Sequence, residues 1–404
     1  MVKLWPGNSS LPALDMKFRQ SMIAGFLACA SLAQAQTQAQ AQPADGYPTT
    51  GVRDNLPAFA AALKTRLTFP MAWTPRVTDL PAWRAAGRAK LWELSLQSAD
   101  STPFEPRVIA ESDRGSYVAR KIVFNLTADS RVLGLLLVPK GTGPFPAALM
   151  LHDHGARFDI GKEKLIEPWG DAVKLATARA WSDKYFSGRF PGDALARRGY
   201  VVLAVDALGF GDRGPITAND QQALASNTFN LGSSVAGLMA LEDARAAQFL
   251  AAQPEVARGK VAAVGFSMGG FRAWQVAALS DAVSAFVAVN WMATTEGLMV
   301  PGSNQLKGSS AWMMLHPGLV RYLDFPDVAS LAAPKPALFF AGEGDRLFPA
   351  ASARAAFARM APVWAAWKAA DRFEARMLPG GHEFTQPAQD AAFDWLDVQI
   401  NGGR

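Results

Sequence analysis

The sequence predicts an α/β fold, a mostly parallel central sheet with helices on both faces. Three observations predict it. From Tyr117 onward, short apolar runs alternate with longer amphipathic ones, the pattern of successive strand–helix units. Runs such as AALML, VVLAV and VAAVG are continuously apolar, as strands covered on both sides are. Half of the 404 residues are hydrophobic and only 19% are charged, which supplies a large core and argues against general disorder.

The elements follow in order. Residues 1–35 read as an export signal whose true start is Met16. Lys17 and Arg19 form its charged end, 22–32 its apolar run, and Ala33-Gln34-Ala35 its cleavage motif. The apolar run is too short to cross a bilayer, so the mature protein is expected to be periplasmic or extracellular, with no stable membrane span. The first fifteen residues fit no part of a signal. Residues 36–50, containing TQAQAQPADGYP, read as a floppy linker. The single cysteine, Cys29, lies inside the apolar run. Leu27 and Ala28 precede it as a lipidation site requires, although Phe26 fits poorly. Signal removal leaves no cysteine, and with it no disulfide, thiolate nucleophile or zinc–thiolate site. The net charge of +5 falls to +3 once Lys3, Asp15, Lys17 and Arg19 are removed with the signal. With no basic stripe, it implies no nucleic-acid partner.

Residues 51–116 read as a helical extension. Asp79 caps a helix with Pro81 in its first turn, Trp83, Leu91 and Leu94 share a face, and Arg84, Arg88 and Lys90 read as the solvated side. Residues 117–404 read as the catalytic domain. It opens with a hairpin around TADS, then a buried strand ending at HDHG, and another over 200–206. A helix is expected over 233–253, then the strand VAAVG, a Gly-rich turn and a helix to Leu279. The strands VSAFVAVN, PALFFAG and RFEARMLPG and a closing helix complete the sheet. Insertions at 157–191 and 291–334, rich in Trp and Met, suit both extra helices on the sheet and walls of a cleft.

Chemistry in such sheets sits at the carboxyl ends of the strands, where every polar motif lies. The turn GFSMGG places Ser267 between Gly265 and Gly269. A G-x-S-x-G turn from strand to helix exposes a serine on strained dihedrals, which need small neighbours. The bare motif arises by chance in about one chain in ten of this length, so its strand–turn–helix context carries the argument. A serine nucleophile needs a base and oxyanion donors. Of four histidines (His152, His154, His316 and His382), only His382 is late enough to follow an acid in the order Ser, Asp/Glu, His. Asp345 is the favoured acid and Glu343 its competitor. The oxyanion donors are expected to be the backbone N–H of Met268 and that of His154 or its neighbour Gly155. His152-x-His154 is also a metal-ligand spacing, but further ligands are lacking, and no metal or cofactor is expected.

The stretches LLLVPKGTGPFPAALMLHDHG, LARRGYVVLAVDALGFGDRG, GFSMGGFRAW, FFAGEGD and GGHEF resemble the α/β-hydrolase superfamily, within it the dienelactone-hydrolase-like and acetyl-xylan-esterase-like bacterial branch. The resemblance covers about residues 118–400. It implies the α/β-hydrolase fold and a serine carboxylic ester hydrolase working through an acyl-enzyme, with Ser267 as nucleophile, His382 as base and Asp345 as acid. Its implied substrate is a small-molecule or carbohydrate ester. Dienelactone hydrolases carry a cysteine where Ser267 stands, so dienelactone itself is doubtful. A prolyl-oligopeptidase type of peptidase shares the triad, but about 65 residues before the first strand leave no room for a propeller. The remaining alternative is a non-catalytic binding module.

Overall fold

The computed structural model of the chain describes residues 51–53, 56–300, 303 and 311–402. The export signal, Cys29 and the linker lie outside the described residues. Nine strands form one sheet: β1 (Arg107–Asp113), β2 (Tyr117–Thr127), β3 (Ser130–Pro139), β4 (Phe145–Leu151), β5 (Val201–Val205), β6 (Val256–Phe266), β7 (Ala285–Val289), β8 (Ala337–Gly342) and β9 (Phe373–Leu378). Their spatial order is β9-β8-β7-β6-β4-β5-β3-β2-β1. The six strands from β9 to β5 run parallel; β3, β2 and β1 join antiparallel.

The helices used below are α1 (Leu80–Ser95), α2 (Ala172–Tyr185), α3 (Pro191–Arg197), α4 (Asp220–Asn230), α5 (Val235–Ala251), α6 (Met268–Leu279), α7 (Phe325–Ser330), α8 (Ala350–Ala366) and α9 (Gln386–Asn401). Because side chains alternate across a strand, each central strand feeds two cores. In β4, Ala147, Leu149 and Leu151 join one core with Phe249 of α5, Trp274 of α6 and Trp364 of α8. Ala148 and Met150 face the other, with Leu195 of α3 and Phe393 and Leu396 of α9. Strands buried on both faces need the continuous apolar sequence that AALML and VAAVG have.

Two expectations are corrected. The extension over 51–116, expected to be helical, contains α1, but residues 107–113 form β1, an antiparallel edge strand on β2. Its sequence, RVIAESD, lacks apolar alternation because most of its side chains are exposed, so the signal for a strand was absent and pairing with β2 decides the structure. The second concerns α1. Asp79 does cap it, accepting from the Ala82 N–H at 2.9 Å. Arg88, however, is not a solvated residue: it donates to the Ala278 carbonyl and pairs with Asp281 at 2.7 Å, docking α1 on the end of α6. Arg84 likewise donates to the Ala333 carbonyl and lies over the Trp367 ring.

Buried charges tie the loops at the strand ends. Arg272 of α6 makes two bonds to Asp243 of α5, at 2.9 and 2.7 Å, with both side chains buried. The Lys162 ammonium sits among Glu163, Asp206 and Asp212 at 3.0, 2.6 and 2.5 Å. These three carboxylates could together ligate a cation, and Lys162 supplies the positive charge among them. Removing one member of such a cluster leaves uncompensated buried charge. Lys162→Met is therefore expected to lower unfolding free energy by about 3–5 kcal/mol in urea titrations. A loss below about 1 kcal/mol would show the cluster to be screened by solvent.

Candidate active site

Strand β6 ends at Phe266 and α6 begins at Met268, so Ser267 alone makes the turn. Its φ of 56° and ψ of −126° lie outside the regions open to ordinary L residues. The turn is held from two sides: the Ser267 N–H donates to the Val289 carbonyl of β7 at 2.8 Å, and the Ser267 carbonyl accepts from Phe271 at 3.1 Å. Neighbouring side chains are excluded sterically. A Cβ on Gly265 would lie 2.0 Å from the Gly269 carbonyl oxygen, and one on Gly269 would lie 1.9 Å from that of Leu151.

The structure brings the three predicted side chains together. His382 Nε2 lies 2.8 Å from Ser267 Oγ, and His382 Nδ1 lies 2.8 Å from Asp345 Oδ2. The other carboxylate oxygen of Asp345 accepts from the N–H groups of Leu347 and Phe348 at 2.8 and 3.3 Å. The competitor Glu343 instead pairs with Arg354 at the surface. Phe266 and Phe348 lie on the His382 ring, with centroids 4.8 and 5.9 Å away.

Asn290 was missed by sequence reasoning. It follows β7 with a φ of 53°, and its side chain bonds the histidine loop and the end of β8. Its Nδ2 donates to the carbonyls of Gly381 and Glu383 at 3.2 and 2.9 Å, while its Oδ1 accepts from the Gly342 N–H at 2.8 Å. It thereby ties the histidine loop to the end of the strand that leads to Asp345. The available signal was its place at the carboxyl end of a buried strand, together with the tolerance of Asn for positive φ.

The two H-x-H histidines are locked as neutral rings. His152 Nδ1 bonds the Asp153 carbonyl at 2.9 Å and its Nε2 accepts from the Ala207 N–H at 2.9 Å. His154 Nε2 bonds Gln221 of α4 at 2.5 Å and its Nδ1 accepts from the Ala156 N–H at 3.0 Å. All four ring nitrogens are engaged, so neither ring has one free for a metal. Burial holds His152 well below its ordinary pKa, helped by the nearby Arg272 and Lys164 cations, and holds His154 at about 4. Asp153, His154, Gly155 and Ala156 of this loop line a cavity together with Ser267.

That cavity measures about 230 Å³ and is mostly apolar. Trp181 and Tyr185 come from the first insertion, Trp291 and Met314 from the second, and Leu347 and Phe348 from the loop after β8. The described parts of both insertions thus pack in the two cores and wall the cavity. Met268 opens α6, where N–H groups lack intrahelical acceptors, so its N–H is free for a ligand at the positive end of the helix dipole.

A serine on a strand–helix turn, with an aspartate and then a histidine on later loops of a mostly parallel sheet, defines the class of α/β-hydrolases. Within that class the chain belongs to the Abhydrolase family, whose family model matches residues 51–375. YtaP of Bacillus subtilis (strain 168), a candidate hydrolase, is 28% identical over 314 residues, covering 78% of this chain and 98% of that protein. Among solved structures, a candidate acetyl xylan esterase of Bacteroides fragilis NCTC 9343 is similar with a TM-score of 0.64 at 18% identity, over 81% of this chain and 85% of that one. A glucuronoyl esterase of Solibacter usitatus gives 0.59 at 14% identity, over 82% and 97%. These two likenesses are of fold.

Gly269→Ala is expected to abolish any activity of Ser267 and to destabilise the protein, because its Cβ meets backbone; a variant of wild-type melting temperature and rate would refute this close packing. A second expectation concerns pH. His316 is buried against Gln275 and, like His154, is held at about 4 by burial. In the unfolded chain both titrate near about 6.5. Between these values unfolding takes up protons, so this stability is complete above about pH 6.5 and is lost as pH falls toward 4. Each contributes about 2 kcal/mol to the loss between pH 7 and pH 5. In His316→Gln, urea titrations at the two pH values are expected to show a loss smaller by that amount; an unchanged pH dependence would exclude a neutral buried ring.

Proposed function

We propose that the protein is an exported serine carboxylic ester hydrolase working through a Ser267–His382–Asp345 triad and an acyl-enzyme. The observation that carries this reading is the unbroken hydrogen-bonded chain from Ser267 Oγ through His382 to Asp345, at 2.8 Å in both links. His382 Nε2 takes the hydroxyl proton as Oγ attacks the ester carbonyl, and Asp345 holds the ring and stabilises the imidazolium. The oxyanion is received by the Met268 N–H and one from His154 or Gly155. His382 then protonates the departing alcohol, and a water activated in the same way releases the acid.

Carbohydrate esters, acetylated ones first, are the proposed substrates. The similarity to acetyl xylan and glucuronoyl esterases supports the class. The cavity supports a short acyl group, since about 230 Å³ lies below the range of pockets for drug-sized ligands. The export signal over residues 1–35, the linker over 36–50 and a catalytic domain whose sheet opens at β1, residue 107, complete the proposal, with an extracellular or periplasmic site of action. An engaged triad argues against the non-catalytic binding module.

The test is a panel of p-nitrophenyl esters from acetyl to long acyl, with acetylated sugars, run beside Ser267→Ala. Acetyl esters are expected to react fastest. Ser267→Ala is expected to lower kcat by about 10⁴-fold or more. Undiminished hydrolysis in that variant, or no labelling of Ser267 by a fluorophosphonate in folded protein, would refute the assignment.

A further inference from the structure

We propose that Lys164 is the positioning residue of the oxyanion site: from behind the loop, its ammonium turns two consecutive peptide N–H groups toward Ser267. This inference rests on the serine-hydrolase reading above and adds a residue to it. Lys164 is fully buried and does not line the cavity. Its Nζ donates to the carbonyl oxygens of Asp153 and His154, each at 2.9 Å, and lies 3.5 Å from Asp153 Oδ2. The three donors of an ammonium are thereby used.

The consequence follows from peptide geometry. A trans peptide carries its C=O and N–H on opposite sides. With the Asp153 carbonyl turned to Lys164, the His154 N–H points away from it. With the His154 carbonyl turned the same way, the Gly155 N–H does so too. Two successive N–H groups on one side form the kind of concavity that receives an anion. Gly155 has a φ of 54°, and a Cβ there would lie 2.1 Å from the Trp181 ring. The next N–H, of Ala156, is taken by His154 Nδ1, which limits the free donors to the two.

The surroundings keep the ammonium in place. Nζ lies 4.8 Å from the Trp181 ring centroid and 5.1 Å from that of Phe210, cation–π distances in a dry site. Trp181 also donates its indole N–H to Asp153 Oδ1 at 3.1 Å while lining the cavity. Asp153, Trp181 and Lys164 are thus one unit, in which the Asp153 carboxylate is the counter-ion of the ammonium. The Asp153 carbonyl also bonds His152 Nδ1 at 2.9 Å and the His154 carbonyl accepts from the Arg157 N–H at 3.3 Å, so Lys164 is the group that holds both at once.

Lys164→Met keeps the length and apolar stem and removes the donors. The measured quantity is the ratio of rates for an oxo-ester and its thiono counterpart, whose sulfur is a weak acceptor for these N–H groups. The variant is expected to lose about a hundredfold in kcat on the oxo-ester, with KM little changed and the thiono rate much less affected. Loss of both rates in equal proportion, or no loss, overturns the proposal. If Lys164→Met does not fold, a crystal structure of the wild-type protein with a short-chain trifluoromethyl ketone decides. The hemiketal oxygen on Ser267 is expected within hydrogen-bond distance of the Met268 N–H and of the His154 or Gly155 N–H, with Lys164 still on both carbonyls. An adduct on Ser267 whose oxygen avoids residues 154 and 155 overturns the role of Lys164 alone. Absence of any adduct on Ser267, with activity retained in Ser267→Ala, overturns the hydrolase reading and this inference with it.

Discussion

The site depends on how closely the start of α6 passes the end of β4. Gly269 sits so near the Leu151 carbonyl that no side chain fits between them. Leu151 is the last residue of β4, and the loop from His152 to Ala156 leaves directly from it. One backbone contact therefore sets Ser267, the Met268 N–H and the loop carbonyls in a fixed relation. The positive φ of Ser267 costs about 1–3 kcal/mol. It persists because every residue of α6 is buried, because β7 accepts the Ser267 N–H, and because Arg272 fastens the helix to Asp243.

Three buried cations tie loops and helices around the site rather than the sheet itself. Arg272 joins two helices behind the turn, Lys162 gathers three carboxylates from the segments after β4 and β5, and Lys164 holds the carbonyls of Asp153 and His154. Buried ion pairs contribute little net stability compared with apolar packing, but a missing partner is costly. Their effect here is to penalise every other loop arrangement. The same cations help keep His152 neutral, so it accepts a hydrogen bond from Ala207 rather than titrating near neutral pH.

Much of this was legible in the sequence because it follows local rules. The buried strands announce themselves by composition, the turn by glycines at both flanks of Ser267, and Asp345 and His382 by chain order after later strands. Asn290 and Gln221 were not legible because each acts through a partner distant in sequence, Gly381 and His154, and Lys164 because nothing local shows that its segment turns back on Asp153 and His154. Their residue types are ordinary for a surface, and only the fold reveals them as buried and fully bonded. Strand β1 was hidden for the opposite reason. Its exposed, charged face carries no apolar period, and its hydrogen bonds come from β2.

The histidine at the centre shows how separate elements combine in the proposed reaction. Both oxygens of Asp345 are committed, one to two backbone N–H groups and one to His382, so the carboxylate does not rotate. Phe266 and Phe348 cover the ring, and Asn290 anchors the carbonyls on either side of His382 in the chain. The imidazole is held at both ring nitrogens, on the line from Asp345 to Ser267. A base confined in this way needs little reorganisation as its proton arrives, and that preorganisation is what a rigid scaffold contributes to a short-lived transition state.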